Sequence, residues 1–123
     1  SISFESLSPF NSKYSSNDNK QMILKYEDGS VCSIHYFAVG NKSISKEYLE
    51  IHFDEKTIIM DDYKSLKGFG INVTEINSSI SDKGQADELV HIHDYLTKKS
   101  SHPPIELWDL IQTTEISFAI SEN

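Results

Sequence analysis

The sequence predicts an α+β fold: an open, mostly antiparallel mixed sheet with two C-terminal helices packed on one face. Three observations carry this. Apolar residues alternate with period two through the first two-thirds of the chain, Asp28-Gly29 sits between two such runs, and the period lengthens to that of a helix after Gln85. Strands followed by terminal helices form a layered domain in which the helices cover one sheet face and leave the other to a different surface.

Ile2, Phe4 and Leu7 alternate as a first strand that Pro9 closes, and the polar stretch from Asn11 to Lys20 reads as a loop. Gln21 to Tyr26 and Val31 to Phe37 flank Glu27-Asp28-Gly29-Ser30, and Asp-Gly is the preferred pair for a tight hairpin turn. With Asp28 and Gly29 as a two-residue loop, Tyr26 faces Val31, Leu24 faces Ser33 and Met22 faces His35 on one side. On the other, Lys25 faces Cys32, Ile23 faces Ile34 and Gln21 faces Tyr36. This register makes both faces partly apolar, so something is expected to cover each.

A second hairpin is predicted over Glu47 to Phe53 and Lys56 to Met60, with Leu49, Ile51, Ile58 and Met60 on an apolar face and Tyr48, Glu50, His52, Thr57 and Ile59 on a mixed one. Ile71, Val73 and Glu75 suggest a further short strand after Lys67-Gly68-Phe69-Gly70. Ala86, Leu89, Val90 and Leu96 recur at helical spacing, with Asp82 as N-cap and Lys98 and Lys99 suited to the C-terminal dipole. Pro104 opens a second helix whose stripe is Leu107, Leu110, Ile111, Thr114 and Phe118.

At 123 residues the chain predicts one domain spanning 1–123. A formal charge of -8, with no Arg, opposes binding to nucleic acid or anionic membrane, where clustered cations are needed. A lone Cys32 and the absence of a long apolar run suggest a reducing, cytoplasmic setting. The start at Ser1 suggests a chain cut from a longer one, and sequons at Asn41, Asn72 and Asn77 carry no weight without a secretory signal.

No residue pattern alone identifies an active site. His91 and His93 lie two apart on a helix and diverge, whereas chelation there wants a spacing of four, so no metal site is expected. His93-Asp94 has no nucleophile elbow nearby, Cys32 reads as a small inert mid-strand hydrophobe, and Asp61-Asp62 reads as a strand-end turn. Gly68-Phe69-Gly70 is too short for a phosphate cradle and opens no helix.

An ordered series of segments carries more information. Tyr14 to Asn19, Tyr26-Glu27-Asp28-Gly29-Ser30-Val31, Ile34-His35-Tyr36 and Gly40-Asn41-Lys42-Ser43 are followed by Lys46-Glu47-Tyr48-Leu49-Glu50, then Met60-Asp61-Asp62-Tyr63. Ser81 to Gln85, Glu88-Leu89 and Pro104-Ile105 complete it. From about Tyr14 to Ile120 the chain resembles the C-terminal α/β domain of the Gfo/Idh/MocA oxidoreductases, in particular members associated with polysaccharide and nucleotide-sugar operons.

The resemblance implies the substrate-side and oligomerisation domain of an NAD(P)-dependent sugar or nucleotide-sugar oxidoreductase, with an open sheet face serving substrate and subunit contacts. It implies two partners: an N-terminal Rossmann domain that this chain lacks, and a second copy in a homodimer or larger homo-oligomer. The family's Gly-rich fingerprint, Glu-Lys-Pro motif and catalytic Asp and His are absent, and Glu55-Lys56-Thr57 lacks the Pro and falls in a hairpin turn. NAD or NADP is therefore expected for a full-length parent, and neither cofactor nor catalytic residue for this chain. By the same resemblance Lys42 and Lys46 lie in a loop near substrate, and Tyr14 is a weaker substrate-facing candidate. The alternative from another class is a stand-alone binding or interaction module that uses the same sheet without redox chemistry.

Overall fold

The computed structural model describes residues 1–120 and is α+β, with seven strands in two antiparallel sheets and two helices in the C-terminal part of the chain. The described residues divide into two compact units. One comprises Ser1–Asn41 and the chain from Ile105 onward, and the other Lys42–Pro104. The strands expected in one sheet thus belong to two, with no parallel pair among the described residues, and each unit carries one helix.

In the first unit β1 (Ile2–Ser6), β2 (Asn19–Lys25) and β3 (Val31–Phe37) form a three-stranded sheet in that order. Leu24 pairs with Cys32, Met22 with Ile34 and Ile23 with Ser33, one residue away from the register expected for a two-residue loop. The loop holds three residues. Tyr26 N–H donates to Ser30 O at 2.9 Å, Gly29 N–H to Tyr26 O at 3.2 Å, and Gly29 takes the left-handed position at φ 91°. A type I turn followed by a left-handed glycine is the usual three-residue hairpin. The Asp28 carboxylate reinforces it by accepting Ser30 N–H at 2.9 Å, and that bond lowers the Asp28 pKa.

The one-residue shift regroups every cross-strand pair. Ile2, Phe4, Met22, Leu24, Cys32, Ile34 and Tyr36 now share one face, while Ser3, Glu5, Gln21, Lys25, Ser33 and His35 share the other with Ile23, Val31 and Phe37. The two-faced apolar pattern expected from the sequence came from the wrong register. One side of this sheet is mainly apolar and the other mainly polar. Leu24 on the apolar face is 7% exposed, as is Ile120 at the end of the second helix.

That helix, α2 (Leu107–Ala119), is tied to the sheet by Lys20, whose Nζ donates to the Ile120 carbonyl and lies 5.3 Å from the Phe4 ring centroid. Lys20 is 5% exposed, and its ammonium meets the negative end of the helix and an aromatic face. Beside it Asn19 is fully buried. Its Nδ2 donates to Ser15 O at 2.9 Å and its Oδ1 accepts Val39 N–H at 3.0 Å, while its own carbonyl accepts Leu7 N–H at 2.9 Å. One residue thereby holds the loop before β2, the end of β1 and the chain leaving β3.

In the second unit β4 (Tyr48–Phe53), β5 (Lys56–Asp61), β6 (Ser65–Phe69) and β7 (Ile76–Asn77) are paired in sequence order. The β4–β5 hairpin has the expected bounds to within a residue. Phe53 pairs with Lys56 across a two-residue turn in which Asp54 and Glu55 take φ 45° and 62°. Leu49, Ile51, Ile58 and Met60 share the predicted apolar face, extended by Leu66 and Ile76. The strand expected at Ile71 to Glu75 is displaced: β6 ends at Phe69 and β7 begins at Ile76. Ile71 and Val73 fold back over Gly68, where a Cβ would lie 2.7 Å from Ile71 O and 2.9 Å from Val73 Cγ2. Helix α1 spans Gln85–Leu96, and its N-cap is Gly84 rather than Asp82, whose Oδ1 instead accepts Gly84 N–H at 2.9 Å.

Two substitutions test this account. Asn19→Ala leaves the Val39 N–H and the Ser15 carbonyl without their partner, and a loss of about 2 kcal/mol is expected in chemical denaturation. Gly29→Val meets no side chain but forces a β-branched residue to positive φ, and about 1–2 kcal/mol is expected to be lost; an unchanged melting midpoint would contradict the turn assignment.

Candidate functional site

Strand geometry places Tyr48, Glu50 and His52 on one face of β4, with Thr57 of β5 directly opposite His52. The four side chains form a continuous polar chain. Tyr48 OH donates to Glu50 Oε2 at 3.0 Å, Glu50 Oε1 lies 3.1 Å from His52 Nε2, and His52 Nδ1 lies 3.0 Å from Thr57 Oγ1. A neutral imidazole donating from Nε2 to Glu50 leaves Nδ1 to accept the Thr57 hydroxyl proton, so the carboxylate fixes the tautomer. The hydrogen bond to Glu50 raises the Tyr48 pKa above its ordinary value, and Asp61 adds to the effect.

Hydroxyl, imidazole and carboxylate follow the order of a nucleophilic triad, but the surroundings oppose acyl transfer. Thr57 pairs with His52 on one side and Phe69 on the other, so β5 is an internal strand whose backbone N–H groups are committed to the sheet. An oxyanion needs free donors. The His52 side chain is 67% exposed, so water is not excluded either. The chain of contacts can present fixed donors and acceptors to a hydroxyl-bearing ligand.

A second constellation lies at the β5–β6 turn, where Asp62 and Tyr63 take φ 51° and 54°. Asp62 N–H donates to Glu47 O at 2.7 Å, and its carboxylate meets Lys64 Nζ at 2.5 Å and accepts the Lys46 backbone N–H. Lys83 Nζ lies 3.3 Å from Glu47 Oε1 and 5.4 Å from the Tyr63 ring centroid. The Lys64 ammonium is the main cause of a lowered Asp62 pKa, with Lys83 and the Lys46 N–H acting in the same direction and desolvation opposing them.

Of the substrate-facing candidates, Lys46 is therefore held by its backbone at this corner with its side chain exposed, and Lys42 is exposed in the preceding turn. Tyr14 belongs to the first unit, half-buried, with Lys13 Nζ 5.5 Å from its ring centroid. The sequence reading placed Tyr48, Glu50, His52 and Thr57 on one face without recognising the relay, for which their period-two spacing was the signal. It missed Lys64, which reaches Asp62 from two residues away across the turn, and Lys83, which no short spacing connects to Glu47. It also missed an open groove of about 640 Å³ in the first unit, where Ile2, Leu24 and Tyr26 face Glu115, Ile116 and Ala119 of α2.

Among the described residues no three His, Cys, Asp or Glu side chains are grouped to hold a metal ion. His93 pairs with Asp94 at 3.1 Å, and Cys32 is half-buried within β3. No described helix is long and apolar enough to cross a membrane. No family model, curated protein or solved structure matches the chain.

The lowered Asp62 pKa fixes the sign of a pH effect. A depressed folded-state pKa contributes stability that is present above the unfolded value and lost as pH falls through the folded one. Asp62→Asn is therefore expected to melt below the unsubstituted protein at neutral pH, with the two midpoints converging below about pH 4. A gap that persists unchanged in acid would show that ionisation of Asp62 is not what holds the corner.

Proposed function

We propose that this chain is the substrate-side and oligomerisation domain of an NAD(P)-dependent sugar or nucleotide-sugar oxidoreductase, with the cofactor carried by a separate dinucleotide-binding domain. The observation that carries the reading is the meeting of two separated segments of the resemblance. Lys46-Glu47 and Asp61-Asp62-Tyr63 become one corner, stitched by Asp62 N–H to the Glu47 carbonyl and by the Lys46 N–H to the Asp62 carboxylate. Sequence likeness spread over distant segments gains meaning when those segments build one structural feature.

In this reading the domain binds and positions. The Tyr48–Glu50–His52–Thr57 chain offers oriented donors and acceptors suited to sugar hydroxyls, and exposed Lys42 and Lys46 offer point charges for an anionic group. Hydride transfer and management of the hydroxyl proton fall to the dinucleotide domain and its acid/base helix. A reducing, cytoplasmic setting belongs to the same proposal, supported by the unpaired Cys32.

Calorimetry provides the test. This chain alone is expected to show no saturable binding of NAD(H) or NADP(H), and the reading frame upstream of Ser1 is expected to continue into a dinucleotide-binding sequence. Micromolar binding by the chain alone would overturn the division of labour, and a native start codon at this boundary would favour the stand-alone binding module.

A further inference from the structure

We infer that β3 is a pairing edge for a second copy of this chain, joined antiparallel about a two-fold axis at Ile34. The inference deepens the oligomerisation part of the proposed function by naming the surface. Among the described residues of the first unit β3 pairs with β2 alone. Its seven residues, Val31–Phe37, contain no Asp, Glu, Lys, Arg or Pro, in a chain that is 24% charged. Sheet edges left in water are normally blunted by such residues or by bulges, because a bare edge recruits another strand.

The hydrogen-bond phase shows which groups the edge offers. Tyr26 N–H donates to Ser30 O, and Ala38 N–H to Asp18 O at the other end of the hairpin. Antiparallel ladders alternate, so the even-numbered residues of β3 turn their backbone groups toward β2 and Val31, Ser33, His35 and Phe37 turn theirs outward. The Phe37 carbonyl already accepts Gly40 N–H at 3.3 Å; its N–H and the outward groups of the other three residues point to the free edge.

A two-fold centred on Ile34 satisfies this set with itself. Ser33 of one copy meets His35 of the other and Val31 meets Phe37, so each outward N–H opposes a carbonyl, that of Phe37 using its second lone pair beside Gly40 N–H. The side chains agree with the backbone. Ile34 meets its own counterpart, and Cys32 meets Tyr36, on the face that already carries Met22 and Leu24. Ile34 is 39% and Tyr36 60% exposed, so both have apolar area to bury. The polar Ser33 and His35, joined within one chain at 3.1 Å, stay together on the opposite face. A dimer built on one short edge buries less than a large obligate interface and is expected to exchange at micromolar concentrations.

The register makes the test specific. Residues facing each other in a non-hydrogen-bonded antiparallel pair have Cα atoms about 4.5 Å apart, within disulfide reach. In a Cys32→Ser background, Ile34→Cys is expected to oxidise to a covalent dimer. Val31→Cys in the same background is not, because it faces Phe37 of the partner, and the double variant Val31→Cys, Phe37→Cys is expected to cross-link again. Ser33→Pro removes an outward N–H without touching the β2 ladder and is expected to shift light scattering from dimer toward monomer with the circular dichroism unchanged.

The inference is overturned by an Ile34→Cys protein that is folded by circular dichroism yet monomeric and unlinked at high micromolar concentration. Val31→Cys cross-linking as well as Ile34→Cys overturns it too, since that is non-specific collision. Neither result bears on the nicotinamide calorimetry or the upstream reading frame.

Discussion

The buried amide of Asn19 is the constraint on which the first unit depends. Its side chain must donate to Ser15 O and accept from Val39 N–H at the same time, which a carboxylate cannot do and a hydroxyl cannot span. Fixing those two contacts brings the loop before β2 and the chain after β3 to one point. Lys20 then enters the strand on the apolar face, where its ammonium reaches the carbonyl at the end of α2. Asn19 thus gathers the first stretch of the unit and Lys20 next to it attaches the second, whose helix returns to the sheet after an excursion of more than sixty residues into the second unit, Lys42–Pro104.

The second unit depends on turns that leave little conformational choice. Four non-glycine residues sit in the left-handed region at the two hairpin turns: Asp54, Glu55, Asp62 and Tyr63. Such conformations persist where the surroundings over-determine them. At Asp62 the surroundings are visible, since Lys64, the Lys46 N–H and the Glu47 carbonyl all hold the same residue. The strand that leaves this corner carries Tyr48, Glu50 and His52, so the polar relay begins beside a tethered corner of the sheet. A polar face built this way is held in place before any contact, so in the proposed function ordering it on a ligand would cost little.

Much of the fold was legible because it is local. Strand and helix periods fixed β1 to β5, α1 and α2 to within a few residues, and Asp28-Gly29 located the first turn. The hairpin register was misread by one residue because the same dipeptide serves two-residue and three-residue loops. Tyr26, Ser30 and the Asp28 carboxylate decide between them by hydrogen bonding. The β6 position was obscured because Gly68 carries no side chain, and the reason for that glycine is the approach of Ile71 and Val73 from later in the chain.

The order of residues along the chain was enough to show the α+β class, the alternation that sorts Tyr48, Glu50, His52 and Thr57 onto one face, and the lack of Arg and of long runs of cations. All follow from periodicity or composition, which are properties of neighbours along the chain. Contacts beyond near neighbours set the division of the strands into two sheets, the single mainly apolar face of the first, and the reach of Lys83 to Glu47. Those outcomes turn on one-residue registers and on contacts between residues up to 36 positions apart. A difference of one residue in a turn reverses the pairing of every side chain beyond it, and no periodicity records that difference.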